Sequence, residues 1–370
     1  PLGESTARKE EKHMPETTET RARLSVQSLM GFTVRAFLRV GLTQADAETM
    51  ADVLIGADIR GIDSHGAPRL RMYVERLRDG LTNPEPRIAT VSETPGTLVL
   101  DGNNGSGPIV GTYAMRRCIE KAHENGVATV TMRNSNHYGS LYYYPLMAVA
   151  EQMAGMTMTT TGPFIVPTFG AAGILGTNPI CIAFPGGDTE RPFMIDMSTS
   201  VVAGGKLEIA RRENHDIPSG WALDVHFQPT TNPFTARYLN TLGGDRAHGS
   251  QKGYGLNVAV DLFAGLLSGG KVSAENTQIE RTAKATHTAH MFSAWRIDAF
   301  VPWEQYTARF DEYMRMLHTC PPAPGHNRVL TPGEPEWIAE DDRRVNGIPL
   351  HPAVVEDLRK LAEELDIPFA

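Results

Sequence analysis

A carboxylate, a hydroxyl and an imidazole stand in consecutive positions at Asp63, Ser64 and His65, followed by Gly66. Four residues beyond His65 comes Arg69, and four beyond that Tyr73. If the chain turns helical at about Ala67, Arg69 and Tyr73 share one face, a turn apart. That face offers a planar cation to a substrate carboxylate and a phenol beside an imidazole that titrates near neutrality. The same residues also suit a helix-capping turn, in which Asp63 or Ser64 accepts backbone N–H bonds and His65 lies at the surface. The composition of the stretch alone favours capping; the rest of the chain shifts the balance towards chemistry.

A second polar cluster, Asn134-Ser-Asn-His137-Tyr138-Gly139, follows a β-branched run from Val127 to Met132, at a strand end where a helix starts. Helix-start N–H groups can hold an anion, and His137 is either a second proton carrier or a cap. Asp196-Met197-Ser198-Thr-Ser200 closes another strand, with groups that suit ribose hydroxyls or amides and equally suit helix caps. Lys252-Gly253-Tyr-Gly255 opens an almost wholly apolar helix through Leu267, a pattern that predicts burial on all sides. Its start reads as a phosphate cradle, or as a buried helix whose first lysine reaches out to water.

The elements that must position these groups follow from periodicity. Helical spacing covers Leu24 to Val40, and Thr43-Gln-Ala-Asp46 starts a second helix in the manner of a capping box. Short strands are expected at Ile88–Val91 and Thr97–Leu100, then a helix from about Ile109 to Asn125 and a strand from Val127. Further strands fall at Met156–Thr161, Ile180–Phe184, Phe193–Met197 and Met291–Ile297, with residues 207–250 expected to be loop-rich. Helices at Trp303–His318, Glu336–Val345 and Ala353–Leu365 complete the chain.

Two glycine patterns imitate nucleotide motifs. Gly105-x-Gly107-x-x-x-Gly111 resembles a dinucleotide fingerprint, with Arg133 where a 2′-phosphate reader would sit; its last glycine comes one residue late. A glycine-rich turn is the better reading. Gly265-x-x-x-x-Gly270-Lys271 lacks the Ser/Thr of a P-loop and follows a helix rather than a strand.

At 370 residues two domains are the default, and a net charge of −8 with interspersed signs argues against a nucleic-acid surface. Three well-separated cysteines suggest neither disulfides nor a metal site, and with no membrane-length apolar run a cytoplasmic setting is expected. Residues 1–13 read as an appended leader, and the chain to about Arg23 as polar and unstructured.

The blocks Asp63-Ser-His-Gly66 with Arg69 and Tyr73, Asn134-Ser-Asn-His137 with Gly139, and Gly176-Thr-Asn-Pro179 occur in one order. Asp196-Met-Ser-Thr-Ser200, Lys252-Gly-Tyr-Gly255, Pro332-Gly-Glu334 and Asn346-Gly-Ile-Pro349 continue it. In that order they resemble the malate/L-lactate dehydrogenase family that is unrelated to the Rossmann-type enzymes of those names. The resemblance implies an α/β fold with a non-Rossmann NAD(P)-binding domain (101–299) and a mainly helical domain from the N- and C-terminal segments (24–100 and 300–370). It also implies NAD or NADP as cofactor, no metal, and a homodimer. It assigns His65 or His137 as proton carrier, Ser64 as relay partner of His65, and Arg69, Tyr73 and Thr161 to the substrate. Cofactor contacts are expected from His137, Tyr138, Gly139, Asn178, Asp196, Met197, Ser198, Lys252, Gly253, Pro332, Gly333 and Glu334. Gln251 stands where the family often has a histidine.

The expected reaction is hydride transfer between nicotinamide and C2 of a small 2-hydroxy or 2-oxo acid. The alternative is NAD(P)H-dependent reduction of a cyclic or N-alkyl ketimine by the same geometry. A hydrolase using Ser64 with His65 is disfavoured, because adjacent side chains rarely face each other and no Gly-x-Ser-x-Gly elbow exists. The choice of acid or imine, and of NAD against NADP, is not readable from the residues.

Overall fold

The computed structural model describes residues 22–277 and 284–369. Strand β1 (Ala22–Leu24) leads into helices α1 (Val26–Arg39) and α2 (Gln44–Ile59). The Ser25 and Thr43 side chains cap these helices by accepting from the N–H groups of Ser28 and Asp46, so the Thr43 start signal is realised. A single 3₁₀ turn, Ala67–Arg69, precedes α3 (Leu70–Arg78). These helices bury an apolar cluster with β12 (Ile348–Leu350) and α10 (Pro352–Leu365), in which Leu29, Phe32, Leu54, Leu70 and Leu361 are wholly enclosed. Each such side chain contributes about 1.5–3 kcal/mol by leaving water. The two ends of the chain therefore meet in one helical core, and β1 pairs antiparallel with β12. Ala22 and Arg23, expected in the unstructured leader, belong to this pair; residues 1–21 lie outside the described residues.

The central sheet holds seven strands in the order β2-β3-β4-β11-β5-β6-β7. These are Ala89–Glu93, Thr97–Asp101, Val127–Ser135, Thr288–Arg296, Met153–Thr159, Ile180–Phe184 and Phe193–Met197 in that spatial order. Among these strands only β3 and β4 run parallel, joined by α4 (Gly107–Asn125); every other pairing in the sheet is antiparallel. A doubly wound dinucleotide sheet is thereby excluded. Helices α4 and α5 (Tyr143–Ala150) cover one face around Val110, Met115, Tyr144 and Phe292. On the other face lies α7 (Ser250–Val260) with its π-helical continuation Asp261–Leu266. Helices α8 (Trp303–His318) and α9 (Glu334–Asn346) complete the described chain.

One expectation is refined and one corrected. Residues 207–250 are not all loop: α6 (Gly205–Glu213) and the small sheet β10-β8-β9 (Tyr238–Leu239, Ala222–Leu223, Pro229–Thr230) lie there. Helix α6 hides because its buried signal is only Leu207 and Ala210 among charged residues. The apolar helix after Lys252 is not enclosed on all sides, since Leu262, Phe263, Leu266 and Leu267 are 43–58% exposed. Its other face packs on Met158, Ile180 and Met291 of the sheet.

Candidate active site

The Asp63–Gly66 turn joins α2 to the 3₁₀ turn and is held from beneath. Asp58, wholly buried near the end of α2, accepts the Ala67 N–H at Oδ2 (2.6 Å). A Cβ added to Gly66 would lie 2.0 Å from Asp58 Oδ1, so only glycine lets the turn sit on this carboxyl. Burial pushes the Asp58 carboxyl up to about 8, against the lowering effect of the Ala67 bond. From the far side, Arg343 on α9 pairs with Asp63 and donates to the Asp58 carbonyl. Asp63 thus anchors the turn to α9.

On the turn, Ser64 Oγ and His65 Nδ1 are 2.8 Å apart. Adjacent side chains rarely face each other, but these two do. The tight turn closed by the His65 N–H bond to the Ile62 carbonyl rotates both to one side. Arg69 donates from Nε to the Ser64 carbonyl (2.9 Å), which folds its guanidinium back towards the turn. The His65 and His137 rings stack, with centroids 5.6 Å apart and planes inclined by 18°. The Tyr73 hydroxyl lies 2.5 Å from His137 Nδ1. Histidines from the first two blocks of the sequence pattern therefore form one unit.

Both rings favour the neutral form. Surrounding protein, then the Arg69 cation, bring His65 down to about 4. The same two causes, with His65 itself acting between them, hold His137 well below the ordinary range. Tyr73 is only 4% exposed, and its hydroxyl lies against His137.

The glycine-rich loop proves to be packing, as the turn reading expects. A Cβ on Gly107 would come 2.2 Å from the His137 carbonyl, and one on Gly105 2.6 Å from Pro86. Arg133 pairs with Asp101 and is not poised for a phosphate. This loop supports the backbone that carries His137. Tyr138, expected beside the cofactor, is instead 1% exposed and stacked between Tyr144 and His290 (centroids 4.6 and 4.2 Å). The loop after β4 turns Tyr138 into the core and leaves His137 partly exposed against His65. His290, which the sequence did not single out, bridges Thr159 and Ser135, both at 2.8 Å.

Asp196, at the end of β7, accepts from Ser140 Oγ and the Tyr142 N–H (2.9 Å each), and burial raises its carboxyl to about 6. It thereby ties the Gly139 loop to β7, with half-buried Met197 and Ser198 following. Pro332 accepts from the Met194 N–H (3.3 Å), and Gly333 abuts Met194, so that block lies along β7. The Glu334 carboxylate accepts from the Thr331 N–H (3.0 Å) and pairs with His318 and Arg328. Asn178 is wholly buried; its Oδ1 accepts from the Thr161 N–H (3.1 Å) and Ser273 Oγ (2.8 Å), so it braces the Thr161 loop. Thr161 Oγ1 accepts from the Thr177 N–H (2.8 Å). Lys252 is exposed in the first turn of α7, and Gly253 meets the Leu242 backbone, where a Cβ would lie 2.2 Å from the carbonyl. The start of α6 comes beside the turn, with an added Gly205 Cβ 3.5 Å from Ser64 Cβ.

Sequence reading missed Asp58 and Arg343. The first had a signal: an acid at a buried position in the apolar run Val53–Ile59. The second had none, because only the tertiary fold brings α9 to the turn.

Residues 24–359 match the family model described as malate/L-lactate dehydrogenase. The chain belongs to this family. Its relatives include a malate dehydrogenase of Pyrococcus abyssi, 39% identical over 94% of this chain and 96% of that protein. An L-sulfolactate dehydrogenase of Methanocaldococcus jannaschii is 36% identical over 89% of this chain and 93% of the relative. Among solved structures, malate dehydrogenase from Entamoeba histolytica superposes with a TM-score of 0.89 at 32% identity, over 94% of this chain and 99% of that one. The malate/L-lactate dehydrogenase family thus accounts for nearly the whole length, including the helical core formed by the two chain ends.

Proposed function

We propose that the protein is a nicotinamide-dependent dehydrogenase of small 2-hydroxy acids, interconverting them with 2-oxo acids. The observation that carries this reading is the stacked His65–His137 pair, with Arg69 on the adjoining turn, in a chain of a dehydrogenase family. When bound, NAD or NADP supplies the acceptor or donor of hydride for C2 of the substrate. The residues fit such a group: Gln251 Oε1 is buried without a hydrogen-bond partner next to exposed Lys252, at the positive end of α7. Lys252, Gly253, Asp196, Met197, Ser198 and the backbones of His137–Gly139 and Pro332–Gly333 would hold it.

Arg69 binds the substrate carboxylate and so presents C2 in a fixed orientation. One imidazole of the pair takes the hydroxyl proton as the O–H bond breaks and the C2–H electron pair departs as hydride. In the reverse direction it returns the proton to the carbonyl oxygen. Both rings are neutral in the resting enzyme, so a basic nitrogen is available without prior deprotonation. The deciding measurement is a panel of 2-oxo acids offered with NADH and with NADPH, followed by loss of reduced-cofactor absorbance. Turnover of at least one small 2-oxo acid is expected. No turnover with either cofactor across malate-, lactate- and sulfolactate-type substrates overturns the reading.

The same reading includes a homodimer. The exposed Leu262, Phe263, Leu266 and Leu267 form an apolar face that a second copy would remove from water. Leu266→Asp is expected to shift the species seen by light scattering from dimer to monomer; a wild-type monomer refutes this part.

A further inference from the structure

The contacts at His137 Nδ1 point to the nitrogen that carries the ring proton. The Gly139 N–H points at Nδ1 (3.3 Å), and a backbone N–H can only donate. Nδ1 must therefore present its lone pair, and the single proton of the neutral ring sits on Nε2. The Tyr73 hydroxyl, 2.5 Å from the same atom, then acts as donor to it, with the His137 carbonyl as a more distant acceptor at 3.4 Å. A proton on Nδ1 would confront the Gly139 N–H and reverse the Tyr73 bond. The helical core fixes Tyr73 in this position, because its ring is buried on α3 among the same apolar residues that enclose Leu70 and Val74.

We infer that Tyr73 is a positioning residue that locks His137 as a fixed Nε2–H donor, leaving the Ser64-linked His65 as the group that carries the proton. This rests on the dehydrogenase reading above and assigns the roles within its histidine pair. A ring already protonated at Nε2 polarises the substrate oxygen by hydrogen bonding but offers no basic nitrogen to it. His65 has no such double lock: its Nδ1 meets a hydroxyl, which donates or accepts as the ring requires. With Nδ1–H donated to Ser64 Oγ, Nε2 of His65 is the base. It gains the proton that the substrate O–H loses, and Ser64 steadies the resulting cation. The stack also makes two simultaneous imidazolium ions unfavourable, so the pair carries one proton at a time. The other charged or titratable groups acting on His137 are Arg69, Arg76 on α3 and His290 on β11.

The test uses the whole enzyme with ¹⁵N-labelled histidine. Nitrogen chemical shifts of His137, assigned by its loss in His137→Gln, should report protonated Nε2 and bare Nδ1 in the wild type, and a tautomer mixture in Tyr73→Phe. In turnover, His65→Gln should lose about 10²–10⁴-fold in kcat, the loss of a proton carrier. His137→Gln, whose amide still donates but cannot relay a proton, should lose about tenfold, the worth of one imperfect hydrogen bond. The pH dependence of kcat should survive in His137→Gln and vanish in the residual activity of His65→Gln. A wild-type His137 protonated at Nδ1, or a His137→Gln variant as inactive as His65→Gln, overturns the assignment. Should no hydroxy acid be oxidised at all, the functional reading fails while the tautomer measurement still decides the role of Tyr73.

Discussion

In the proposed mechanism His65 takes the substrate proton from a turn that keeps its ring neutral, and this has a direct kinetic consequence. Its free-enzyme value of about 4 means that the basic form is already complete at neutrality. Hydroxy-acid oxidation, measured as kcat/KM, should stay level as pH falls from 8 to about 5 and drop only as the ring protonates near 4. A drop centred near the ordinary imidazole value of about 6.5 would contradict this. Arg69 acts at the same scale with a different signature. Arg69→Ala removes the carboxylate partner and should raise the substrate KM by about 10- to 100-fold, the value of one charge-assisted hydrogen bond or two, while cofactor affinity holds. An unchanged KM in steady-state assays would remove Arg69 from the substrate site.

At the scale of elements, the active turn is clamped between α2, α9 and the glycine loop before α4. Gly107 allows the loop to touch the strand end that bears His137; a methyl there cannot fit within 2.2 Å of a carbonyl oxygen. Gly107→Ala should therefore displace His137, costing about 1–3 kcal/mol in stability by overpacking and lowering kcat. The urea midpoint and kcat should fall together, and a variant with normal kcat would show that His137 does not depend on this contact. Arg343→Ala makes a related case from α9. Losing the clamp on Asp63 should lower kcat through a loosened turn, with the fold retained because both partners are partly exposed.

For the molecule as a whole, two sets of buried groups titrate against each other. Asp58 has a folded-state value raised to about 8, so the stability linked to its proton is complete near pH 4 and is lost as pH rises towards 8. His65 and His290, lowered to about 4 and about 3, act in the other sense with His137: the unfolded chain binds their protons first, so stability falls as pH drops below about 6.5. Stability measured by urea unfolding should peak near pH 6 to 7, and Asp58→Asn should flatten the alkaline side. An unaltered alkaline slope in that variant would assign the decline to other groups.

The chain's residues, read in order, determined the helical ends, the strands of the sheet, the Asp63–Tyr73 turn and the His137 cluster, because periodicity and turn chemistry are local properties of sequence. They also determined the family, since its motifs are short and survive in order. What each polar side chain touches was decided elsewhere. Tyr138 and His137 are neighbours in sequence, yet one packs in the core and the other lies half-buried against His65. Tyr73 reaches His137 across 64 positions, and Arg343 reaches Asp63 across 280. Glu334 pairs with His318 and Arg328, partners that its motif does not name. Such partners are chosen by packing of distant elements, which fixes distances and orientations that no local spacing encodes. The tertiary structure alone therefore set the hydrogen-bond partners of the His137 ring, although the sequence had already named the histidine.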